Sequence, residues 1–177
     1  MSTITKKICL LGDFNVGKTS LVRRFVEDKF SDQYLTTVGV KISRKSVTVR
    51  TELDIHQVNL LVWDLEGNTK FKSITPSYLK GASGSIIVAD LTRADTFKNL
   101  NQHLKLFFQV NPKGGVIIAL NKADLLPQEK LAQLVKNYSS HRFERIEGIY
   151  ATSAKTGDCV TKIFDKLARI VTLSPQE

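Results

Sequence analysis

The stretch GDFNVGKT, residues Gly12 to Thr19, decides the fold, because it fits the pattern G-x-x-x-x-G-K-[ST] between an apolar run and a helical pattern. The apolar run at residues 6–11 predicts a strand, and the spacing of apolar residues over 19–26 predicts a helix. Glycines in such a loop let backbone N–H groups approach phosphate oxygens. Lys18 can neutralise phosphate charge, and the Thr19 hydroxyl can reach magnesium. The stretch therefore predicts a strand–loop–helix unit that binds a nucleotide by its phosphates.

A second motif, Asn121-Lys122-Ala123-Asp124, follows another apolar run much further along the chain. The Asp124 carboxylate can accept hydrogen bonds from N1–H and the 2-amino group of guanine, whereas adenine offers it neither. We expect Lys122 to pack its stem along the nucleotide. With Asn121 present, the segment Ser153-Ala154-Lys155 can supply a backbone N–H to the guanine 6-oxo group, although alone it is typical of a polar loop. The two motifs together predict a guanine nucleotide.

Asp64 and Gly67 lie between these motifs, at the end of a third strand-like run. We expect Asp64 to hold magnesium through water as the acidic partner of Thr19. Gly67 lets its own N–H approach a terminal phosphate without a side-chain clash. The pattern D-x-x-G alone is typical of an ordinary turn, and its position between the other motifs favours the nucleotide role.

Short apolar runs alternate with helical patterns along the chain, which is typical of βαβ units and a largely parallel sheet. Residues 40–50 and 56–65 are rich in β-forming residues and flank an acidic turn, so they predict a hairpin. We expect a three-layer α/β fold, in which about five helices flank a six-stranded, mostly parallel sheet with one antiparallel edge hairpin. The other predicted strands span residues 85–91, 116–121 and 149–152, and the other predicted helices span 96–108, 128–138 and 160–173.

Length and composition predict a single domain over residues 1–177, with 42% hydrophobic and 24% charged residues. No apolar stretch reaches about 18 residues and no signal peptide is visible, so we expect a soluble, cytoplasmic monomer. The chain has no terminal cysteine for prenylation and Ser2 stands where myristoylation needs glycine, so no lipid anchor is expected. Neither a disulfide nor a cysteine metal site is expected from Cys9 and Cys159, and Cys9 lies in an apolar run that favours burial.

The formal net charge is +9, which can favour acidic partners or anionic surfaces. The basic residues are scattered among apolar runs, without the aromatic interleaving that is typical of nucleic-acid binding. A solvated basic surface is therefore the simpler interpretation, and no nucleic-acid partner is expected.

The ordered motifs resemble those of the small GTPases of the Ras superfamily, nearest the Rab-like branch, over essentially the whole chain. The segments Thr37-Val38-Gly39-Val40, Trp63-Asp64 and 77–82 are similar to Rab sequences. The resemblance implies a P-loop NTPase G domain. It further implies that Thr37 meets magnesium and the γ-phosphate only in the GTP state, that Phe30 covers the guanine edge-on, and that Tyr34 closes over the phosphates.

Several residues depart from that resemblance. Where relatives read D-T-A-G-Q-E, this chain reads DLEGNT from Asp64, which puts the shorter amide of Asn68 at the position of the water-orienting glutamine. Phe14 stands where glycine or serine is usual, and Glu66 stands where relatives have alanine, beside the expected γ-phosphate. Neutral drift is the alternative explanation for each. Lys41 and Ile42 replace an acid and a phenylalanine, which puts Rab-type partner recognition in doubt.

We therefore predict a GTP-binding molecular switch that binds GTP or GDP with Mg²⁺, hydrolyses GTP slowly and changes partner binding through two switch loops. Effector, exchange-factor and activating proteins are the expected partners. Because no arginine lies between Asp28 and Thr37, efficient turnover would need an external group. The alternative is a GTP-binding scaffold or pseudo-GTPase with negligible hydrolysis. An adenine-specific ATPase or kinase would leave the 121–124 motif unexplained.

The predicted site residues fall into three overlapping groups. The predicted catalytic residues are Asn68, Lys18, Thr37 and Gly67, and the predicted metal ligands are Thr19, Thr37 and Asp64. The residues predicted to contact the nucleotide are Asp13, Phe14, Asn15, Val16, Gly17, Lys18, Thr19, Ser20, Phe30, Tyr34, Thr37, Gly67, Asn121, Lys122, Asp124, Ser153, Ala154 and Lys155.

Overall fold

A six-stranded sheet forms the centre of the computed structural model, which describes residues 3–33, 36–52, 54–67, 75–139, 143 and 145–174. The strands are β1 (Thr3–Gly12), β2 (Val40–Arg50), β3 (Ile55–Leu65), β4 (Gly84–Asp90), β5 (Gly115–Asn121) and β6 (Gly148–Ala151). Their order across the sheet is β2-β3-β1-β4-β5-β6, and only the β2–β3 pair is antiparallel among these strands. The predicted mostly parallel sheet with an antiparallel edge hairpin is confirmed.

Helices connect the strands and flank the sheet. They are α1 (Lys18–Glu27), α2 (Thr75–Leu79), α3 (Ala94–Lys98), α4 (Leu100–Val110), α5 (Gln128–Ser139) and α6 (Val160–Leu173), with a 3₁₀ turn at Ala123–Leu125. The prediction of one helix over residues 96–108 was wrong, because the segment divides into α3 and α4 at Asn99. The side-chain amide of Asn99 donates to Asp13 at 2.7 Å, a tertiary contact that the helical periodicity does not show.

Helices cover both faces of the sheet, which gives the predicted three layers. Alternate residues of a strand face opposite sides. Ile8 and Leu10 of β1 therefore pack in the core shared with α1 and α6, whereas Cys9 and Leu11 pack in the core shared with α2, α3 and α4. The predicted burial of Cys9 is confirmed. Every residue of β4 and β5 is buried, as expected for central strands covered on both sides.

The carboxyl ends of the parallel strands meet at one edge of the sheet. β1 ends at Gly12, β3 at Leu65, β4 at Asp90 and β5 at Asn121. Ligands of open α/β sheets bind beyond this edge. Within the described residues, none of the helices has both the length and the apolar character of a membrane span.

Candidate nucleotide-binding site

A cavity of about 770 Å³ opens at the carboxyl edge of the sheet, a volume typical of ligand pockets. Most predicted nucleotide residues line it: Phe14, Asn15, Gly17, Lys18, Thr19, Ser20, Phe30, Thr37, Gly67, Asn121, Lys122, Asp124, Ala154 and Lys155. Arg23, Glu27 and Lys41 also contribute to its wall and were not predicted. The predicted residues Asn68 and Tyr34 lie outside the described residues.

The loop between β1 and α1 surrounds the buried ammonium of Lys18. The Lys18 Nζ donates to the carbonyls of Gly12 and Asp13, each at 2.8 Å. Burial lowers the pKa of Lys18 to about 8, and the charges of Asp64 and Asp13 oppose that shift. A Cβ built on Gly67 would lie 2.6 Å from Lys18 Nζ and from the Asp13 carbonyl, so only glycine permits this approach. The loop, the cation and Gly67 thus form one polar cradle.

Three predicted metal ligands converge beside this cradle. Thr19 Oγ1 lies 2.5 Å from Asp64 Oδ2 and 2.6 Å from Thr37 Oγ1. Burial raises the pKa of Asp64, while the hydrogen bond from Thr19 and the charge of Lys18 oppose the increase. The buried Oδ1 of Asp64 has no hydrogen-bond partner among the described residues. Hydroxyl and carboxylate oxygens are the ligand types that Mg²⁺ prefers.

The opposite end of the cavity is held together by Asn121. Its Nδ2 donates to the Val16 carbonyl at 3.0 Å, and its Oδ1 accepts from Thr152 Oγ1 at 3.2 Å and from the Ala154 N–H at 3.3 Å. This buried amide therefore ties the phosphate loop to the segment after β6.

Two of the predicted nucleotide residues, Val16 and Ser153, lie behind the wall and support it. The Ser153 hydroxyl donates to Asp124 Oδ1 at 2.6 Å and so orients the carboxylate predicted to read guanine.

The chain matches the Ras family over residues 7–173. It belongs to the Ras family. Rab-22A of Homo sapiens is 36% identical over 166 residues, which cover 92% of this chain and 81% of that protein. Rab-13 of Canis lupus familiaris is 35% identical over 171 residues, 94% of this chain and 80% of the relative. Rab-31 of Mus musculus is 37% identical over 175 residues, 97% of this chain and 86% of the relative.

The family match and these relatives identify the chain as a Rab-like small GTPase, which is a guanine-nucleotide switch. The general classes of partner for such a switch are regulator and effector proteins. In this Ras-family chain, Phe30 lines the cavity and also packs against the core.

Sequence reasoning missed a buried ion pair behind the site. Asp90 is fully buried, and its Oδ2 lies 2.6 Å from Lys122 Nζ, which also donates to the Asn15 carbonyl at 2.9 Å. Asp90 Oδ1 accepts from the N–H and the hydroxyl of Thr92 at 2.9 and 2.6 Å. A carboxylate at the end of an apolar strand was visible in the sequence and could have indicated this role.

The side chain of Asp13, a predicted nucleotide residue, does not line the cavity, and a contact between its backbone and the nucleotide stays a prediction. Its carboxylate accepts from Asn99 Nδ2 at 2.7 Å and lies 2.8 Å from His103 Nε2. Burial opposes ionisation of Asp13, but the hydrogen bonds from His103 and Asn99 lower its pKa. Arg93 donates to the Phe14 carbonyl at 2.8 Å on the same outer side. The outer surface of the loop is therefore braced by α4 and the segment after β4.

Glu66 also has a partner that the sequence did not show. Its Oε2 accepts from the backbone N–H of Gly39 at 2.7 Å, while its own N–H donates to the Gly39 carbonyl at 2.9 Å. The expectation that this anion lies near the phosphate cradle has partial support, because its charge is among those that oppose the lowering of the Lys18 pKa by burial.

Proposed function

We propose that the cavity binds GTP or GDP together with Mg²⁺. The observation that carries this proposal is the buried, unpartnered oxygen of Asp64 beside the hydroxyls of Thr19 and Thr37. Thr19 and Asp64 would hold the metal in both nucleotide states, and Thr37 would join them in the GTP state. When bound, the metal would neutralise charge on the phosphate oxygens. Lys18 supplies a second positive charge, and Gly67 leaves room for its own N–H to approach a phosphate. Isothermal titration of GDP with Mg²⁺ and with EDTA tests the metal requirement, since loss of the metal should weaken binding.

The base specificity in this proposal belongs to Asp124, whose carboxylate lines the cavity and is oriented by Ser153. A bound adenine would cover that carboxylate from water without giving it a donor, which is costly. Asp124→Asn should weaken GTP binding and favour xanthosine triphosphate, because the new amide donates to a 2-oxo group. Asp158→Asn, at an exposed carboxylate outside the cavity wall, is the matched control. Effective competition by ATP in the unmodified protein would contradict the assignment.

The proposed switch uses two segments at the phosphate end of the cavity, the Thr37 segment (residues 36–41) and the Gly67 segment (residues 64–67). In the GTP state the γ-phosphate would contact both, and after hydrolysis those contacts are lost. Thr37→Ala should leave GDP affinity nearly intact and remove the difference between GDP and GTP-analogue states. Trp63 is the proposed fluorescent reporter, since it is half-buried and pairs in the β2–β3 ladder with Ile42, the residue after the Thr37 segment. Identical fluorescence of the unmodified protein in both nucleotide states would contradict switching.

Slow hydrolysis is proposed from Asn68 and Phe14. The amide of Asn68 has a stem one methylene shorter than glutamine, and a misplacement of about 1 Å can cost roughly a hundredfold in rate. Phe14 is 40% exposed and lines the cavity wall, where an arginine from a partner would have to enter. Arg93 does not fill that role from within, because it donates to the Phe14 carbonyl and pairs with Asp95 at 3.3 Å.

Single-turnover hydrolysis separates slow turnover from the scaffold alternative. The rate should rise in Asn68→Gln and rise further with Phe14→Gly, non-additively if the two side chains share one small space. A rate in the unmodified protein equal to that of the double variant would remove Asn68 as the water-positioning group. No hydrolysis in any variant would favour the scaffold.

Partner binding in this proposal uses the exposed side chains of the Thr37 segment and of the residue that follows it. Val38, within the segment, is 75% exposed, and Ile42, directly after it, is 52% exposed. We further propose that residues 1–177 act as a single, monomeric G domain, which light scattering during size-exclusion chromatography tests.

A further inference from the structure

The hydrogen bonds between Glu66 and Gly39 complete the antiparallel ladder of β2 and β3 in an unusual way. The ladder pairs Val40 with Leu65, so Gly39 and Glu66 are the next opposed residues. A hydrogen-bonded pair in such a ladder exchanges two main-chain N–H···O bonds. Here the Glu66 N–H donates to the Gly39 carbonyl at 2.9 Å, but the Gly39 N–H donates to Glu66 Oε2 at 2.7 Å. The carboxylate has taken the place of the residue's own carbonyl as acceptor.

Because the carboxylate replaces the carbonyl as acceptor, the main-chain ladder can end at Glu66 while strands β2 and β3 remain hydrogen-bonded to each other. Immediately after Glu66, the backbone of Gly67 approaches Lys18 and the Asp13 carbonyl, where a Cβ would come within 2.6 Å. Thr37 stands two residues before Gly39 and places its hydroxyl beside Thr19. One carboxylate therefore links the two segments that the proposed γ-phosphate would contact.

We infer that Glu66 is a positioning residue that holds the Thr37 segment against the Gly67 segment without help from a γ-phosphate. The inference rests on the proposed switch and specifies how this chain regulates it. The free energy of a hydrogen bond to a charged acceptor changes an equilibrium constant by roughly tenfold to hundredfold, here the constant between the held and the released Thr37 segment. Part of the ordering that GTP would otherwise supply is then present with GDP, so the two nucleotide states differ less than they would without the carboxylate.

The charge and the hydrogen bond of Glu66 have opposite consequences for the nucleotide. An anion near Lys18 would repel a bound phosphate, so its removal would slow nucleotide release. Loss of the hydrogen bond to Gly39 would release the Thr37 segment and speed nucleotide release. Glu66→Gln separates the effects, because the amide oxygen can still accept from Gly39 while the charge is removed.

The test is hydrogen exchange at the Gly39 amide and over residues 36–41 in unmodified protein, Glu66→Ala and Glu66→Gln. In the GDP state, Glu66→Ala should speed exchange by roughly tenfold to hundredfold and should speed release of fluorescent GDP. Glu66→Gln should keep most of the protection. Glu52→Ala removes an exposed acid at the other end of the hairpin and should change neither readout. Circular dichroism melting verifies that each variant is folded.

Unchanged Gly39 exchange in Glu66→Ala would overturn the inference, and so would slower GDP release in both Glu66 variants. The same exchange is also measured without added nucleotide, since the hydrogen bond joins protein atoms only. If the protein failed to bind GDP but Gly39 lost protection in Glu66→Ala, the proposed function would fail while the positioning role stood. If nucleotide bound normally but Gly39 exchange did not respond, the positioning role alone would fail.

Discussion

Removing the buried carboxylate behind the site should destabilise the protein far more than removing an exposed one. Asp90→Ala deletes the ion pair with Lys122 and two hydrogen bonds from Thr92. Breaking a buried pair by removing one partner costs about 3 to 5 kcal/mol, and because the Lys122 side chain is 27% exposed we expect the lower limit, about 3 kcal/mol. For a domain of this size that corresponds to a decrease in Tm of roughly 6 to 12 °C.

The pH dependence of this effect follows from the pKa of Asp90. Burial opposes its ionisation, but the hydrogen bonds from Lys122 and Thr92 outweigh burial and lower the pKa from its ordinary value. A carboxyl group with a lowered folded-state pKa stabilises the protein above its unfolded pKa, and the stabilisation is lost as pH falls through the folded value. The difference in Tm between unmodified protein and Asp90→Ala should therefore be constant near neutral pH and shrink below about pH 4.

Thermal unfolding followed by circular dichroism measures the effect, with the same excess of GDP in every sample because bound ligand raises Tm. Asp95→Ala is the matched control, since its side chain is 66% exposed in a surface pair with Arg93. Such pairs contribute about 1 kcal/mol or less. Asp90→Asn should have an intermediate Tm, because its amide oxygen still accepts from Thr92. A decrease for Asp90→Ala no larger than that for Asp95→Ala would refute the reasoning.

Three further predictions concern the core, the thiols and the base-binding end. Phe164→Ala should destabilise the protein by about 3 to 5 kcal/mol in denaturant unfolding, because the ring is fully buried and stacked on a second aromatic ring at 4.1 Å. Burial raises the pKa of Cys9 to about 12, so a thiol reagent at pH 8 should label the partly exposed Cys159 in native protein and Cys9 only after unfolding. Ser153→Ala should weaken GDP binding by roughly tenfold, measured by titration, because Asp124 loses its orienting donor.

The sheet and most of the cavity wall could be predicted because the phosphate-binding residues and the apolar runs of the strands each lie within short segments of the sequence. The stretch from Gly12 to Thr19 has the glycines, cation and hydroxyl that a phosphate site needs at fixed spacing. The strands β4 and β5 are short apolar runs, which is typical of buried parallel strands. Thr19 and Asp64 were predicted from the motifs and Thr37 was implied by the family resemblance, and the structure brings the three together.

The supporting contacts were not predictable in the same way, because they join residues that no local pattern relates. His103 belongs to α4, and nothing in the helical periodicity indicates that its ring meets Asp13 of the phosphate loop. Asn99, the residue at which the helix predicted over 96–108 divides, bonds to Asp13 as well. Asp13 was predicted to contact the nucleotide only because it lies within the motif. The motif determines the backbone of such a loop more closely than the side chains at its variable positions.

The departures from the family act on different parts of the proposed cycle. Under the proposals above, Glu66, which bonds to Gly39, would affect the equilibrium position of the Thr37 segment, whereas Phe14 and Asn68 would affect the barrier to hydrolysis. The two effects are measured separately. Hydrogen exchange with one nucleotide bound reports the equilibrium position of the segment, and single-turnover rates report the barrier to hydrolysis. A chain with both properties would keep much of its partner-binding surface ordered with GDP and would leave the GTP state slowly. Removing Glu66 should then increase the ratio of partner affinities between the two nucleotide states, while replacing Asn68 should change only how long the GTP state lasts.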